Sequence, residues 1–401
     1  MTSFLANRLK LIKPSPTLTI SAKAAAMKAA GQDVIGLGAG EPDFDTPEFI
    51  KEGARQALVR GETKYTAVEG MLSLRKAIAQ KLLKDNALDY DPSEIIVSCG
   101  GKHVLFNAFI ATLNAGDEVI IPAPYWVSYL DMTLLFGGKP CVIKTQENLN
   151  FKITPRSLEE AITPQTKWFI LNSPSNPTGM CYTEEELKSL GEVLKKYPHV
   201  WIMSDDIYEH LVFDGFVFKT LAQVVPELKE RILIINGVSK TYAMTGWRIG
   251  YGAGPKSLIQ AMTMVQSQST SNATSIAQAG AESALKGDQG FLKEFRESFQ
   301  KRRDFIVNSL NECPLLSCLK PQGAFYVYPS AQGLIGKTTP SGTDLQTDED
   351  VARYFLEQSG VAVVPGAAFG LSPYFRISYA VHLDTIKEAC QRLRKAIEAL
   401  T

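Results

Sequence analysis

Two lone cations, Lys240 and Arg248, stand in the segment 239–252, SKTYAMTGWRIGYG, among small, aromatic and apolar residues. A lysine taken out of water beside a second cation loses its proton more readily and becomes an amine nucleophile toward a carbonyl carbon. An arginine beside Ser239 offers a planar fork suited to a phosphate. The plainer alternatives are a lysine that reaches back to solvent from a strand end and an arginine paired with a surface carboxylate. In IMSDDIYEH, Asp205 and Asp206 end an apolar run and Tyr208 follows. One carboxylate can face a bound cation while Tyr208 supplies a hydroxyl; a helix N-cap would account for the other. SPSNPTG (173–179) is a proline-rich turn in which Asn176 can donate to an oxygen or only shape the turn.

SCGGKHVLFNAFIA reads as a strand, a glycine turn and the start of a helix. Free N–H groups at Gly101 and Lys102 would suit a phosphate there, although a plain strand–helix turn has the same pattern. The segment lacks the G-x-x-x-x-G-K-[ST] spacing of a nucleotide-binding loop. GLGAGEP (36–42) is not a dinucleotide fingerprint, because its third glycine comes one residue early and EPDF does not continue as a helix.

These groups need elements to hold them. Apolar runs at 94–101, 117–126, 168–179, 200–208, 231–240 and 246–254 read as strands, several without alternation, as expected for strands covered on both faces. TEEELKSLGEVLKKY (183–197), opened by Thr183 with Glu186 three residues on, reads as a capped helix between two of them. Strand–helix alternation predicts an α/β layer architecture with a mostly parallel sheet. Gly101, Lys102, Trp126, Asn176, Asp205, Tyr208, Ser239 and Lys240 all fall at or just beyond carboxyl ends of these runs, where open α/β sheets bind ligands. One ligand reconciles the parts. Pyridoxal phosphate needs a lysine for its aldehyde, a carboxylate for its ring nitrogen and anion-binding groups for its phosphate.

After about residue 285 the texture changes to a charged helical stretch (290–311), then GAFYVYPS, VAVVPG and YFRISYA, with a last helix near 383–399. That pattern predicts a smaller α+β domain, which the first 45 residues are expected to join. The Gly-, Thr- and Ser-rich segment 331–347 reads as a mobile surface loop.

SKTYAMTGWRIGYG, NSPSNPTG, SDDIYEH and AGEPDFDTP together resemble class I aminotransferases of fold type I, and among them the bacterial aspartate aminotransferase subgroup with its prephenate-using relatives. The resemblance runs from KPSPT to FRISYA, nearly the whole chain. It implies a large domain, 46–288, with a mostly parallel seven-stranded sheet covered by helices. A smaller α+β domain would be built from 1–45 and 289–401. It also implies pyridoxal 5′-phosphate held by Lys240 as a Schiff base, with Lys240 moving the 1,3-proton and Asp205 pairing with the ring nitrogen. Tyr208 and Asn176 would bond the phenolic oxygen, Trp126 would stack on the ring, and Ser239, Arg248 and the backbone of Gly101 and Lys102 would bind phosphate. Tyr65 would reach the phosphate from the partner subunit of a homodimer with shared active sites. Arg376, in YFRISYA, would fork onto the substrate α-carboxylate, with Gly40 offering backbone contact. Lys102 and Thr17 would read a distal carboxylate. The implied reaction is ping-pong exchange of an amino group between aspartate or glutamate and 2-oxo acids, prephenate being a further candidate.

The same fold could host a β-lyase, but the Lys102–Thr17 dicarboxylate signature argues against it. A cofactor-sensing transcription regulator would carry a DNA-binding module ahead of the domain, whereas the family pattern here begins near residue 13. Lys+Arg and Asp+Glu both number 42, so no overall charge favours nucleic acid or an anionic membrane. The six cysteines show no C-x-x-C spacing, the four histidines are scattered, and no metal site is expected. MTSFLANRLKLIKPSP has no apolar core of a secretory signal, and no apolar run approaches the roughly 18 residues of a membrane span. A cytoplasmic enzyme is the expectation.

Overall fold

The computed structural model of the chain describes residues 4–12 and 16–401, the side chains of 16–18 and 21 excepted. Its centre is a seven-stranded sheet. In chain order the strands are β1 (Ile95–Ser98), β2 (Glu118–Ala123), β3 (Lys139–Lys144), β4 (Thr166–Asn172), β5 (Trp201–Asp205), β6 (Ile232–Gly237) and β7 (Gly250–Ala253). Across the sheet they run β1-β7-β6-β5-β4-β2-β3, with β7 antiparallel to both its neighbours and every other pair parallel. All strands but β7 therefore end at one edge, and β7 begins there. Six of the seven strands coincide with runs legible in the sequence. The half-exposed edge strand β3, KPCVIK, has no apolar run to announce it.

The sheet is covered on both faces, which is why its strands read as unbroken apolar runs. Successive side chains point to opposite faces. Ile232 and Ile234 accordingly enter one buried cluster, while Leu233 and Ile235 enter another on the far side. The helix Glu184–Lys195 starts with the expected capping box between Thr183 and Glu186.

A separate core forms around the long helix Phe291–Asn311, where Phe299 and Ile306 pack with Phe325, Phe355 and Ile377. A three-stranded antiparallel sheet sits against it, with Phe375–Ser378 between Val364–Pro365 and Tyr326–Val327. Ile35–Gly36 pairs in parallel with Val361–Ala362, so the early chain joins this second unit by backbone hydrogen bonds. Segment 331–347 is irregular as expected but tied down rather than loose. Leu334 and Leu345 are buried, Thr338 bridges Asp344, and Thr338 exchanges two backbone hydrogen bonds with Thr401. All six cysteines are unpaired thiols.

A buried polar cluster anchors the turn after β5. The Glu209 carboxylate pairs with Lys81 and accepts from Asn86 (3.0 Å) and from Asn236 on β6 (2.7 Å). Burial pushes the Glu209 carboxyl up, but the Lys81 charge, then His210, and hydrogen bonds from Lys81 and Asn86 outweigh it and hold it below the usual range. The cluster fastens Glu209, next to Tyr208, to the helix Leu72–Asn86. Lys81→Met leaves that carboxylate without its countercharge and is expected to cost about 3–5 kcal/mol of stability. Urea unfolding reads it as a lower midpoint at unchanged slope; an unmoved midpoint would mean that the two asparagines alone satisfy Glu209.

Candidate active site

The strand edge where β1, β4, β5 and β6 end opens into a cleft of about 260 Å³. After β1 the chain turns at Gly100, with φ +89°, a left-handed value that glycine adopts without penalty. It then enters the helix Gly101–Thr112. The N–H groups of Gly101 and Lys102, in the first turn of that helix, have no intrahelical acceptor, and both residues line the cleft. Residue 250 must lack a side chain, because a Cβ there would collide with the backbone of Gly100 and Gly101. After β2 come Trp126 and, one helical turn on, Tyr129; after β4 comes Asn176; β5 ends on Asp205 with Tyr208 beyond; after β6 come Ser239 and Lys240. Arg248 precedes the first residue of the reversed strand β7, which brings it to the same edge. Gly40 and Arg376 reach the cleft from the second unit.

Among the described residues, the cleft lining holds four cations, Lys102, Lys240, Arg248 and Arg376, against a single carboxylate, Asp205. The Lys240 amine donates to the Gly40 carbonyl at 2.6 Å. Burial lowers its pKa to about 8, with Arg248 and Arg376 pushing the same way against Glu41 and Asp205. Burial raises Asp205 to about 6, against a hydrogen bond donated by Tyr129 to its Oδ2 (2.5 Å). Its neighbour Asp206 turns away from the cleft and accepts from Ser204 (2.8 Å), which separates the two adjacent carboxylates by face. Lys102 is likewise lowered by burial and by Arg248, and its Nζ sits 4.9 Å from the centre of the Trp126 ring.

Arg376 is the deepest of the cations, 2 % exposed. One terminal nitrogen donates to Asn176 Oδ1 (2.8 Å) and the other to the Gly38 carbonyl (2.5 Å). Its Nε is buried with no partner among the described residues. Tyr326 and Phe369 place ring faces 4.6 and 4.9 Å from its guanidinium carbon. A buried guanidinium held by neutral groups is costly until an anion reaches it.

Of the remaining sequence-predicted residues, one lies elsewhere and the side chain of the other is not described. Tyr65 is 91 % exposed and does not line the cleft of its own chain. The Thr17 side chain falls outside the described residues. Arg248 is exposed at the cleft mouth, not interior as its apolar sequence neighbours imply. It donates to the carbonyls of Thr245 (2.8 Å) and Cys99 (3.5 Å), two bonds that aim it across the glycine turn. Tyr129, Asn172 and Tyr326 line the cleft without having been singled out in the sequence. The spacing of Tyr129 from Trp126 and the place of Asn172 at the end of β4 were available signals. Tyr326 had none, since it stands in the middle of an apolar run far along the chain.

The donor set fits pyridoxal 5′-phosphate on its chemistry. The cleft has an amine of lowered pKa for an aldehyde, a buried carboxylate for a ring nitrogen, and an aromatic wall at Trp126. Helix N–H groups with Ser239 and Arg248 suit a phosphate. Fold and cleft together define a pyridoxal-phosphate-dependent transferase of fold type I. Residues 32–393 match the family described as Aminotransferase class I and II, and the chain belongs to it. The aspartate/prephenate aminotransferase of Cereibacter sphaeroides is 58 % identical over 392 residues, covering 98 % of each chain. The aspartate aminotransferase of Rhizobium meliloti is 54 % identical over 99 % of this chain and 97 % of its own. A crystal structure of the Rhizobium meliloti enzyme superimposes with a TM-score of 0.97 at 54 % identity, covering all of both chains. The aspartate aminotransferase of Thermus thermophilus with maleate gives 0.92 at 40 %, covering 98 % of this chain and all of that one.

In the cofactor-free chain the Lys240 amine is protonated below about pH 8 and neutral above it. Acylation of Lys240, followed by peptide mass mapping, is expected to rise through that midpoint, whereas ordinary lysines need a pH of roughly 10. A Lys240 midpoint shared with the bulk lysines would contradict the desolvation argument.

Proposed function

We propose that this aminotransferase exchanges the amino group of aspartate or glutamate with 2-oxo acids, oxaloacetate and 2-oxoglutarate among them, and takes prephenate as a further oxo acid. The observation that carries this reading is the pair of cations at separate positions in one cleft, the buried Arg376 and the partly desolvated Lys102. Arg376 receives the α-carboxylate as a fork, and Lys102, with Thr17, receives a distal carboxylate. The relatives named for aspartate and prephenate, and the Thermus enzyme crystallised with the dicarboxylate maleate, support the same substrate class.

Bound in the cleft, pyridoxal 5′-phosphate supplies an aldehyde that takes up an amino group and a ring that draws electrons from the adjoining carbon. Lys240 supplies the amine that anchors the aldehyde carbon. When not anchored there, the same amine would be placed to take up and return a proton at the substrate α-carbon. Asp205, held by Tyr129, would pair with the ring nitrogen and keep a proton there. Tyr208 and the Asn176 amide would donate to the phenolic oxygen, Trp126 would face the ring, and Gly101, Lys102, Ser239 and Arg248 would hold the phosphate. Gly40 leaves room beside the substrate and presents its carbonyl to Lys240. The two half-reactions use one pocket in turn, so donor and acceptor meet the same arginine.

The active assembly in this reading is a homodimer in which Tyr65 of the partner subunit completes the phosphate site. Its support is an exposed apolar surface near Tyr65, with Leu58 52 % and Val59 80 % accessible in the single chain. We place the enzyme in the cytoplasm, in keeping with its six unpaired thiols. We also assign 46–288 to a cofactor-binding domain and 1–45 with 289–401 to a smaller one, in keeping with the separate cores.

Lys240→Ala is expected to lower turnover of aspartate with 2-oxoglutarate by at least ~10³-fold, since it removes both anchor and proton carrier. Full activity in that variant, or a wild-type enzyme inert to aspartate and glutamate alike, would sink the reading. Subunit mixing tests the shared site. Lys240→Ala and Tyr65→Ala subunits, each impaired alone, are expected to regain about a quarter of wild-type activity when statistically mixed, because each hybrid dimer rebuilds one intact site. No recovery on mixing would place Tyr65 outside the partner's site.

A further inference from the structure

Tyr326 has no part in the roles above, yet it touches three of their bearers. It sits on the strand Tyr326–Val327, paired with Ser378 of the strand that carries Arg376, and is 1 % exposed. Its hydroxyl lies 2.8 Å from the Tyr208 hydroxyl, with the two rings nearly perpendicular at 85°. Its ring face receives the Arg376 guanidinium at 4.6 Å. A Cβ on Gly40 would lie 2.5 Å from its hydroxyl oxygen, and the Gly40 carbonyl accepts the Lys240 amine.

Each phenol has one proton to give. Burial holds both above the usual tyrosine range, Tyr208 well above, so both are protonated at neutral pH. The Arg376 charge works against that burial at both phenols, but Tyr326, whose own ring carries the guanidinium on its face, is raised less and is the better donor of the two. A hydroxyl that accepts a hydrogen bond becomes in turn a stronger donor.

From this geometry we infer that Tyr326 is a positioning residue for Tyr208: it donates to the Tyr208 oxygen and thereby commits the Tyr208 proton to the cofactor's phenolic oxygen. The inference rests on the function proposed above, in which Tyr208 faces that oxygen. Its consequence is electronic. A strong bond from Tyr208 draws charge off the phenolic oxygen and weakens its hold on a proton at the Lys240 nitrogen. Without the Tyr326 hydroxyl, that nitrogen keeps its proton to higher pH. The charged groups facing Lys240 are Glu41, Arg248, Arg376 and Asp205, and none of them is altered by Tyr326→Phe.

Absorbance of the lysine-bound cofactor, followed across pH in the holoenzyme, is the test. Tyr326→Phe is expected to raise the titration midpoint by roughly half a unit to one unit, the scale of one hydrogen bond. Tyr208→Phe should raise it further, and the double variant should match Tyr208→Phe alone, because Tyr326 acts only through Tyr208. Gly40→Ala, whose methyl displaces the Tyr326 hydroxyl without removing it, should move the midpoint the same way, and it decides the matter if Tyr326→Phe does not fold. An unmoved midpoint in the single variant, or a double variant showing the sum of both shifts, overturns the role of Tyr326. A wild-type protein without a pH-dependent band, or a Lys240→Ala protein that retains it, overturns the functional reading as well.

Discussion

A lysine amine withdrawn from water is driven to shed its proton, and the site is organised around one amine in that position. Burial brings Lys240 down to about 8 and, in the same cleft, Asp205 up to about 6. Both groups are thereby poised within reach of neutral pH, where an amine can attack a carbonyl and a carboxylate can hold a proton on a ring nitrogen. The surrounding charge does not cancel. Among the described residues, four cations and one carboxylate line the cleft, so it favours ligands that bring phosphate and carboxylate groups with them. Cofactor and substrate supply the charge that the protein leaves out.

Holding these groups together depends on strand direction. In a parallel sheet all strands end at the same edge, so residues far apart in sequence arrive at one place. The single reversed strand, β7, extends the principle instead of breaking it. Because β7 starts at that edge, Arg248 stands before its first residue, where the other contributors stand after the last residue of theirs. Gly250 then lets β7 lie against the glycine turn of 100–101, so that the N–H groups of a helix start and a guanidinium share one corner. The second unit supplies the opposite wall. Arg376, Tyr326 and Gly40 come from its strands and loops and meet the sheet edge through Asn176, Tyr208 and Lys240.

Much of this was legible in the sequence, for a local reason. A polar residue just past an unbroken apolar run marks a strand end, and Lys240, Asp205, Asn176 and Lys102 all carried that mark. The resemblance of four short motifs added their chemistry. Tyr129 was within reach of the same reading by its helical spacing from Trp126. The edge strand β3 was not, because half-exposure leaves its pattern mixed. The tethering of segment 331–347 depends on Thr401 and on two buried leucines, contacts that composition does not encode.

The sequence alone determined the class of architecture, the candidate reactive lysine and the candidate anion-binding groups, because apolar periodicity and strand-end polarity are local properties of the chain. Tertiary structure separates the two adjacent carboxylates, of which the resemblance had singled out Asp205: Asp205, ending β5, accepts from Tyr129 in the cleft, and Asp206, just beyond it, accepts from Ser204. It also decided how far each pKa moves, because desolvation depends on what is packed above a group and not on its neighbours in sequence. The contact between Tyr208 and Tyr326 is of the same kind: two phenols 118 positions apart share a hydrogen bond only because the turn after β5 packs into the same buried core as the strand Tyr326–Val327.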